Sequence, residues 1–147
     1  MFKHILIPTD GSPESARAVK AAISLAKENG ARVTGYHCVD PVHRAMNGEG
    51  YIPNKQLIAE IERRTQRAGR THVAQIAKAA RKAGVKFDTL VETTATPYGG
   101  IVAAAAKRDC DLIFMATHGY RGLMRLAMGS VAEKVTRLSK VPVLVYR

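Results

Sequence analysis

The sequence predicts an open, doubly wound α/β sheet of five parallel strands, in one domain spanning residues 1–147. Two observations carry this. Apolar runs of strand length alternate with segments of helical period along the whole chain, and the helical segments open on capping or proline signals. Strands joined through helices must run parallel, because an antiparallel neighbour needs only a short hairpin.

The first strand is His4 to Pro8. Ser12 reads as an N-cap with Pro13 at the first helical position, where its fixed φ suits the turn and its missing N–H costs nothing. Val19, Ala22, Ile23 and Ala26 mark the buried face of this helix, and Asn29-Gly30 stops it. Strand two runs from Arg32 to about Asp40. The stretch from Pro41 to Pro53, rich in turn formers, is the segment expected to be most mobile.

A long helix is predicted from about Asn54 to Ala83, with Ile58, Ile61, Thr65, Ala68, Val73, Ile76 and Ala80 on one side and Gly84 at its end. Val85 to Glu92 is strand three, and Thr96-Pro97 caps a short helix through Lys107. Asp111 to Ala116 is strand four, with the apolar run Leu112-Ile113-Phe114-Met115. After a glycine-punctuated loop, Ser130 to Ser139 is the last helix, with Val131, Val135 and Leu138 inward. Val141 to Tyr146 is strand five.

With 147 residues, 46% hydrophobic and 24% charged, the chain suits one globular core that needs neither disulfides nor a structural metal. Cys38 and Cys110 are far apart and form no CxxC pair, so they read as reduced, small buried residues. No apolar run approaches the roughly 18 residues of a membrane span, and Met1-Phe2-Lys3-His4 does not open a signal peptide, so a cytoplasmic location is expected. None of His4, His37, His43, His72 and His118 falls in an HExxH pattern, and no metal site is expected.

The net charge of +11 suggests anionic partners. Between Ile61 and Lys86, eight cations against the single Glu62 give +7 of it. At 100° per residue, Arg63, Arg67, Arg70, Lys78 and Arg81 lie opposite the Ile58/Ile61/Ile76 stripe. No aromatic side chains interleave with them to stack bases, so this face reads as solvated and nucleic acid is not the expected partner.

In an open α/β sheet, ligands sit beyond the carboxyl ends of the strands where their order reverses, which directs attention to Thr9-Asp10-Gly11-Ser12 and to Thr117–Ser130. Gly119 permits a tight turn, and Gly129-Ser130 opens a helix whose unpaired N–H groups and positive dipole end favour an anion. Arg121 and Arg125 could add charge to the same ligand. The plainer alternatives are that Ser130 only caps a helix and that Asp10 only shapes a turn through backbone amides. Neither GxxxxGK[ST] nor GxGxxG occurs, which disfavours a P-loop NTPase and a typical dinucleotide-binding dehydrogenase.

Over essentially all its residues the chain resembles the universal stress protein family, as a single-domain bacterial-type member. The resemblance rests on Ile5-Leu6-Ile7-Pro8-Thr9-Asp10-Gly11-Ser12 and on His37-Cys38-Val39-Asp40. It rests also on His118-Gly119, nine residues, Gly129-Ser130-Val131, and on Val141-Pro142-Val143-Leu144-Val145. It implies a Rossmann-like fold of the adenine nucleotide alpha hydrolase type. In the nucleotide-binding branch, a pattern of Gly, two residues, Gly, nine residues and Gly-Ser wraps the ribose and phosphates of ATP. Gly119 and Gly129 match its second and third glycines, and Ala116 stands at the first, adding one methyl. If that position needs positive φ or close approach, the alanine lowers affinity.

By this resemblance Pro8, Thr9 and Asp10 line the adenosine end, with Asp10 accepting from adenine or ribose, and the Cys38 backbone meets adenine. The whole implied nucleotide-binding set adds Met115, Ala116, Thr117, His118, Gly119, Tyr120, Arg121, Gly129, Ser130 and Val131. The resemblance implies a stress-response sensor or regulator that binds ATP or the related ADP or AMP, with Mg as an accompanying ion. It also implies a homodimer through the C-terminal strand, with protein partners the sequence does not identify. The alternative is a dimeric interaction protein of the branch that binds no nucleotide. A third class, a slow ATP-hydrolysing enzyme, would need the same pocket plus a positioned water; no catalytic residue is assigned.

Overall fold

In the computed structural model, which describes residues 1–42, 54–118 and 128–147, β1 (His4–Pro8) leads through α1 (Pro13–Asn29) to β2 (Arg32–Val39). α2 (Lys55–Ala83) precedes β3 (Phe87–Thr93), and after α3 (Pro97–Lys107) come β4 (Leu112–Ala116), α4 (Ser130–Leu138) and β5 (Val143–Tyr146). The strands pair in parallel in the order β3-β2-β1-β4-β5. The chain steps outward from β1 to β3 and then returns past β1 to β4. The β1/β4 boundary is therefore the switch point, where connections leave in opposite directions and a crevice opens.

The local signals act as their chemistry dictates. Ser12 Oγ accepts from Ser15 N–H at 3.1 Å, with Pro13 next to it. Asn54 Oδ1 accepts from Leu57 N–H at 2.8 Å. Gly30 and Gly84 end α1 and α2 at φ +64° and +73°, left-handed conformations that glycine adopts without a Cβ penalty.

Side chains alternate across the sheet and build two cores. Ile5, Ile7, Val33, Leu112 and Phe114 pack with α1 and α2 residues such as Ala22, Ile76 and Ala80. Leu6, Tyr36, Ile113 and Met115 pack on the other face with Ile101, Ala104, Ala132 and Val135 of α3 and α4. Both faces of β1 and β4 are covered, which is why those strands are apolar throughout.

The structure corrects several expectations. Ala68 is exposed and Gly69 is the buried position of α2. A Cβ on Gly69 would lie 2.8 Å from His37 Cδ2 and 3.0 Å from Val91 Cγ1, so only glycine lets the helix approach β2 and β3 there. Leu138, expected inward, is half exposed at the end of α4. β3 starts at Phe87 because Val85 N–H is spent on Ala80 O in the helix cap. β5 starts at Val143 because Val141 is tied into a turn by the Ser139 hydroxyl. The predicted basic face is exposed at Arg63, Arg67, Arg70, Lys78 and Arg81. The expectation of mobility over 41–53 falls mostly on residues 43–53, outside the described residues.

Candidate functional site

Beyond β1, the loop into α1 is held by hydrogen bonds from several elements. Pro8 is buried and pairs with Tyr36, and Thr9 N–H donates to Tyr36 O at 2.9 Å. His37 Nδ1 lies 2.8 Å from Thr9 O, and since a carbonyl only accepts, Nδ1 carries the proton. Asp10 Oδ1 accepts from Ser12 N–H at 3.0 Å and from Ser15 Oγ at 2.6 Å. The Ser12 hydroxyl donates to Ser15 Oγ at 3.1 Å. Asp10 therefore does shape its turn, the plainer of its two sequence readings.

Gly11 turns the loop at φ +80° and donates to Thr9 Oγ1 at 3.1 Å. The His72 ring of α2 lies directly against it: a Cβ on Gly11 would come within 2.2 Å of His72 Cε1. His72 is not among the site residues expected from sequence, because the contact joins distant elements. The signal that could have found it is its place one turn before Ile76, on the flank of the buried stripe of α2.

Across the switch point, Met115 and Ala116 end β4, both buried. Ala116 pairs with Tyr146, and among the described residues Asp109 is the one non-glycine with positive φ. The alanine at the first motif position thus sits in ordinary strand backbone, and its residual effect is the bulk of one methyl. Thr117 N–H donates to Tyr146 O, and Gly129 N–H donates to Thr117 O, both at 2.9 Å. This second bond joins the two ends of the loop and brings Gly129 beside His118.

α4 starts at Ser130 with Gly129 as its N-cap and no side-chain capping bond, and Glu133 N–H donates to Gly129 O. The first-turn N–H groups of Ser130, Val131 and Ala132 form the positive end of the helix dipole, and among the described residues no side chain caps them. Gly129's own N–H is engaged by Thr117, so amides for an anion begin at Ser130. Gly119, Tyr120, Arg121 and Arg125 lie outside the described residues.

Cys38 Sγ donates to Thr94 O at 3.5 Å. Burial, with Asp40 adding, pushes its thiol up to about 11, and burial, with Asp111 adding, does the same for Cys110. Neither thiol is a nucleophile near neutral pH. No three or more His, Cys, Asp or Glu among the described residues form a group that could hold a metal ion.

The family model described as the universal stress protein family matches residues 1–147. Universal stress protein MJ0531 of Methanocaldococcus jannaschii is 38% identical over all of this chain and 83% of its own length. Among solved structures, the hypothetical protein MJ0577 superposes with a TM-score of 0.82 at 26% identity, over 99% of this chain and 95% of that one. A universal stress protein solved in complex with cAMP has the same fold, with a TM-score of 0.70 at 21% identity, covering 99% of this chain and 97% of that one.

Proposed function

The chain belongs to the universal stress protein family, and from that membership we propose that it binds ATP or a related adenine nucleotide and acts as a stress-response sensor or regulator. The observation that carries this reading is the convergence at the β1/β4 switch point of the Thr9–Ser12 loop and the start of α4, whose first turn lacks a side-chain cap. Phosphate is the chemistry such amides attract. That a relative of this fold has been solved with cAMP supports an adenine nucleotide as the class.

In this reading Pro8, Thr9 and Asp10 take the adenosine end and the Cys38 backbone meets adenine. Met115, Ala116, Thr117 and His118, at and just after the end of β4, line the same site, and the family resemblance adds Gly119, Tyr120 and Arg121 to the set. Ser130 and Val131 offer N–H groups to phosphate, the Ser130 hydroxyl adds a donor, and Gly129 keeps the approach open. The stretch from Ala116 to Ala132 contains no carboxylate, so a Mg ion would be held mainly by the phosphates. Nucleotide occupancy then alters the dimer or its protein partners in the cytoplasm.

The dimer would form along β5. That strand is at the sheet edge with β4 as its one neighbour, and Leu138, Leu144 and Tyr146 leave apolar surface exposed there. A second reading, an interaction protein that binds no nucleotide, is favoured by Ala116 at the first motif position and by Asp10 Oδ1 already holding Ser12 and Ser15. Denaturing the purified protein and identifying what it releases separates the two. Stoichiometric adenine nucleotide supports the first, and none, together with no thermal shift at about millimolar ATP, supports the second.

A further inference from the structure

His72 projects from α2 onto the backbone of Gly11, so closely that a Cβ there would meet Cε1 at 2.2 Å and Nδ1 at 2.3 Å. Beside it His37 of β2 holds Thr9 O at 2.8 Å, and the two rings lie 5.0 Å apart at 53°. Two imidazoles from different elements thus bear on neighbouring backbone units of one loop. His72 Nδ1 is buried and finds no hydrogen-bond partner among the described residues. An apolar side chain would fill the same space without that desolvation cost, so packing alone does not account for a histidine.

We propose that His72 is a positioning residue of the β1–α1 loop: braced by His37, its imidazole sets where Asp10 and Gly11 stand, and proton uptake by His72 loosens that setting. The consequence for ligand, weaker adenine-nucleotide binding in acid, rests on the function proposed above; the coupling within the loop does not.

The groups that bear electrostatically on His72 are His37 from β2 and Asp10 from the loop. Its neighbours on α2, Gly69, Val73 and Ile76, are uncharged, and α1 turns Ser15, Ala18, Val19 and Ala22 inward. Burial first, and His37 second, hold the His72 pKa below the usual histidine value, while Asp10 pulls it upward. His72 is therefore neutral near pH 7, and acidification places a cation against a glycine backbone and a second imidazole.

The test is an NMR pH titration of the whole chain, following the histidine ring protons and the Asp10 and Gly11 amides, paired with ATP calorimetry. The expectation is that both amides shift with the midpoint of His72. ATP affinity should fall at least about fivefold more from pH 7.5 to pH 5 in wild type than in His72→Gln. The phosphates of ATP titrate with both proteins alike, so the comparison isolates the imidazole. If His72→Gln fails to fold, His37→Gln serves: removing the neighbouring imidazole should raise the His72 midpoint, and the two amides should move with it. Amides that ignore the His72 midpoint overturn the proposal whatever ATP does. Amides that follow it in a protein that binds no ATP uphold the loop coupling and overturn the nucleotide reading instead.

Discussion

Gly129 and Thr117 close the base of the loop after β4: the Gly129 N–H donates to the Thr117 carbonyl at 2.9 Å, and a Cβ on Gly129 would sit 2.3 Å from that same oxygen. The glycine is required by this contact, since its φ of −61° suits any residue. A Gly129→Val substitution must push the Thr117 carbonyl or the start of α4 aside. It should cost about 1–3 kcal/mol of stability in urea unfolding, the range of overpacked sites. Calorimetry should also show ATP binding weakened at least about tenfold, because the displaced amides are those offered to phosphate.

Ala116 tests whether the first motif glycine matters through backbone conformation or through space. Its backbone is plain strand, paired to Tyr146. Ala116→Gly should therefore cost about 0.5–1 kcal/mol of stability, the penalty for glycine inside a strand. It should change ATP affinity by less than about threefold. A much larger gain in affinity would show that the methyl itself obstructs the ligand.

Acid should destabilise the fold through His4. Its Nε2 lies 2.8 Å from Thr34 Oγ1 in a buried pair, and burial, then Arg32, lowers its pKa from the usual 6.5. The unfolded chain then binds more protons than the folded one as pH falls below about 6.5, so stability declines through that window and levels off below the folded value. The urea midpoint should fall between about pH 7 and pH 5, and His4→Gln, which keeps a polar partner for Thr34 without a titrating ring, should make the profile shallower, with the slope that remains coming from His72.

Hydrolysis should be slow. The loop supplies amides, a serine and arginines, but no carboxylate between Ala116 and Ala132 to hold metal at the γ-phosphate. His118 is left to position water alone. Single-turnover measurement with excess protein and magnesium should give a rate well below about 1 s⁻¹, and a faster one would make the protein an ATPase.

What could be read from the sequence was local. Ser12-Pro13, Gly30 and Gly84 announce helix ends because capping depends on one or two residues and their φ. The alternation of apolar strands and periodic helices likewise carried the parallel direction of the strands, though not their order. The starts of β3 and β5 were shifted by local cap and turn bonds, whereas what was missed around the site was long-range. Ala68 and Gly69 are adjacent on the helix, and only the approach of His37 and Val91 decides which is buried. His72 against Gly11 is invisible until α2 is laid on the sheet, and Asp10's bond to Ser15 appears only once α1 has turned.

If an adenine nucleotide binds across the β1/β4 switch point, the amides on both sides of that point must respond to it. Backbone amide shifts recorded with and without ATP test it most directly. Perturbations should concentrate at Thr9–Ser12, Cys38, Thr117–His118 and Gly129–Val131, with the α2 face of Arg63, Arg67 and Arg70 unchanged. Saturating ATP that moves none of these amides, or moves only those of the α2 basic face, would contradict it.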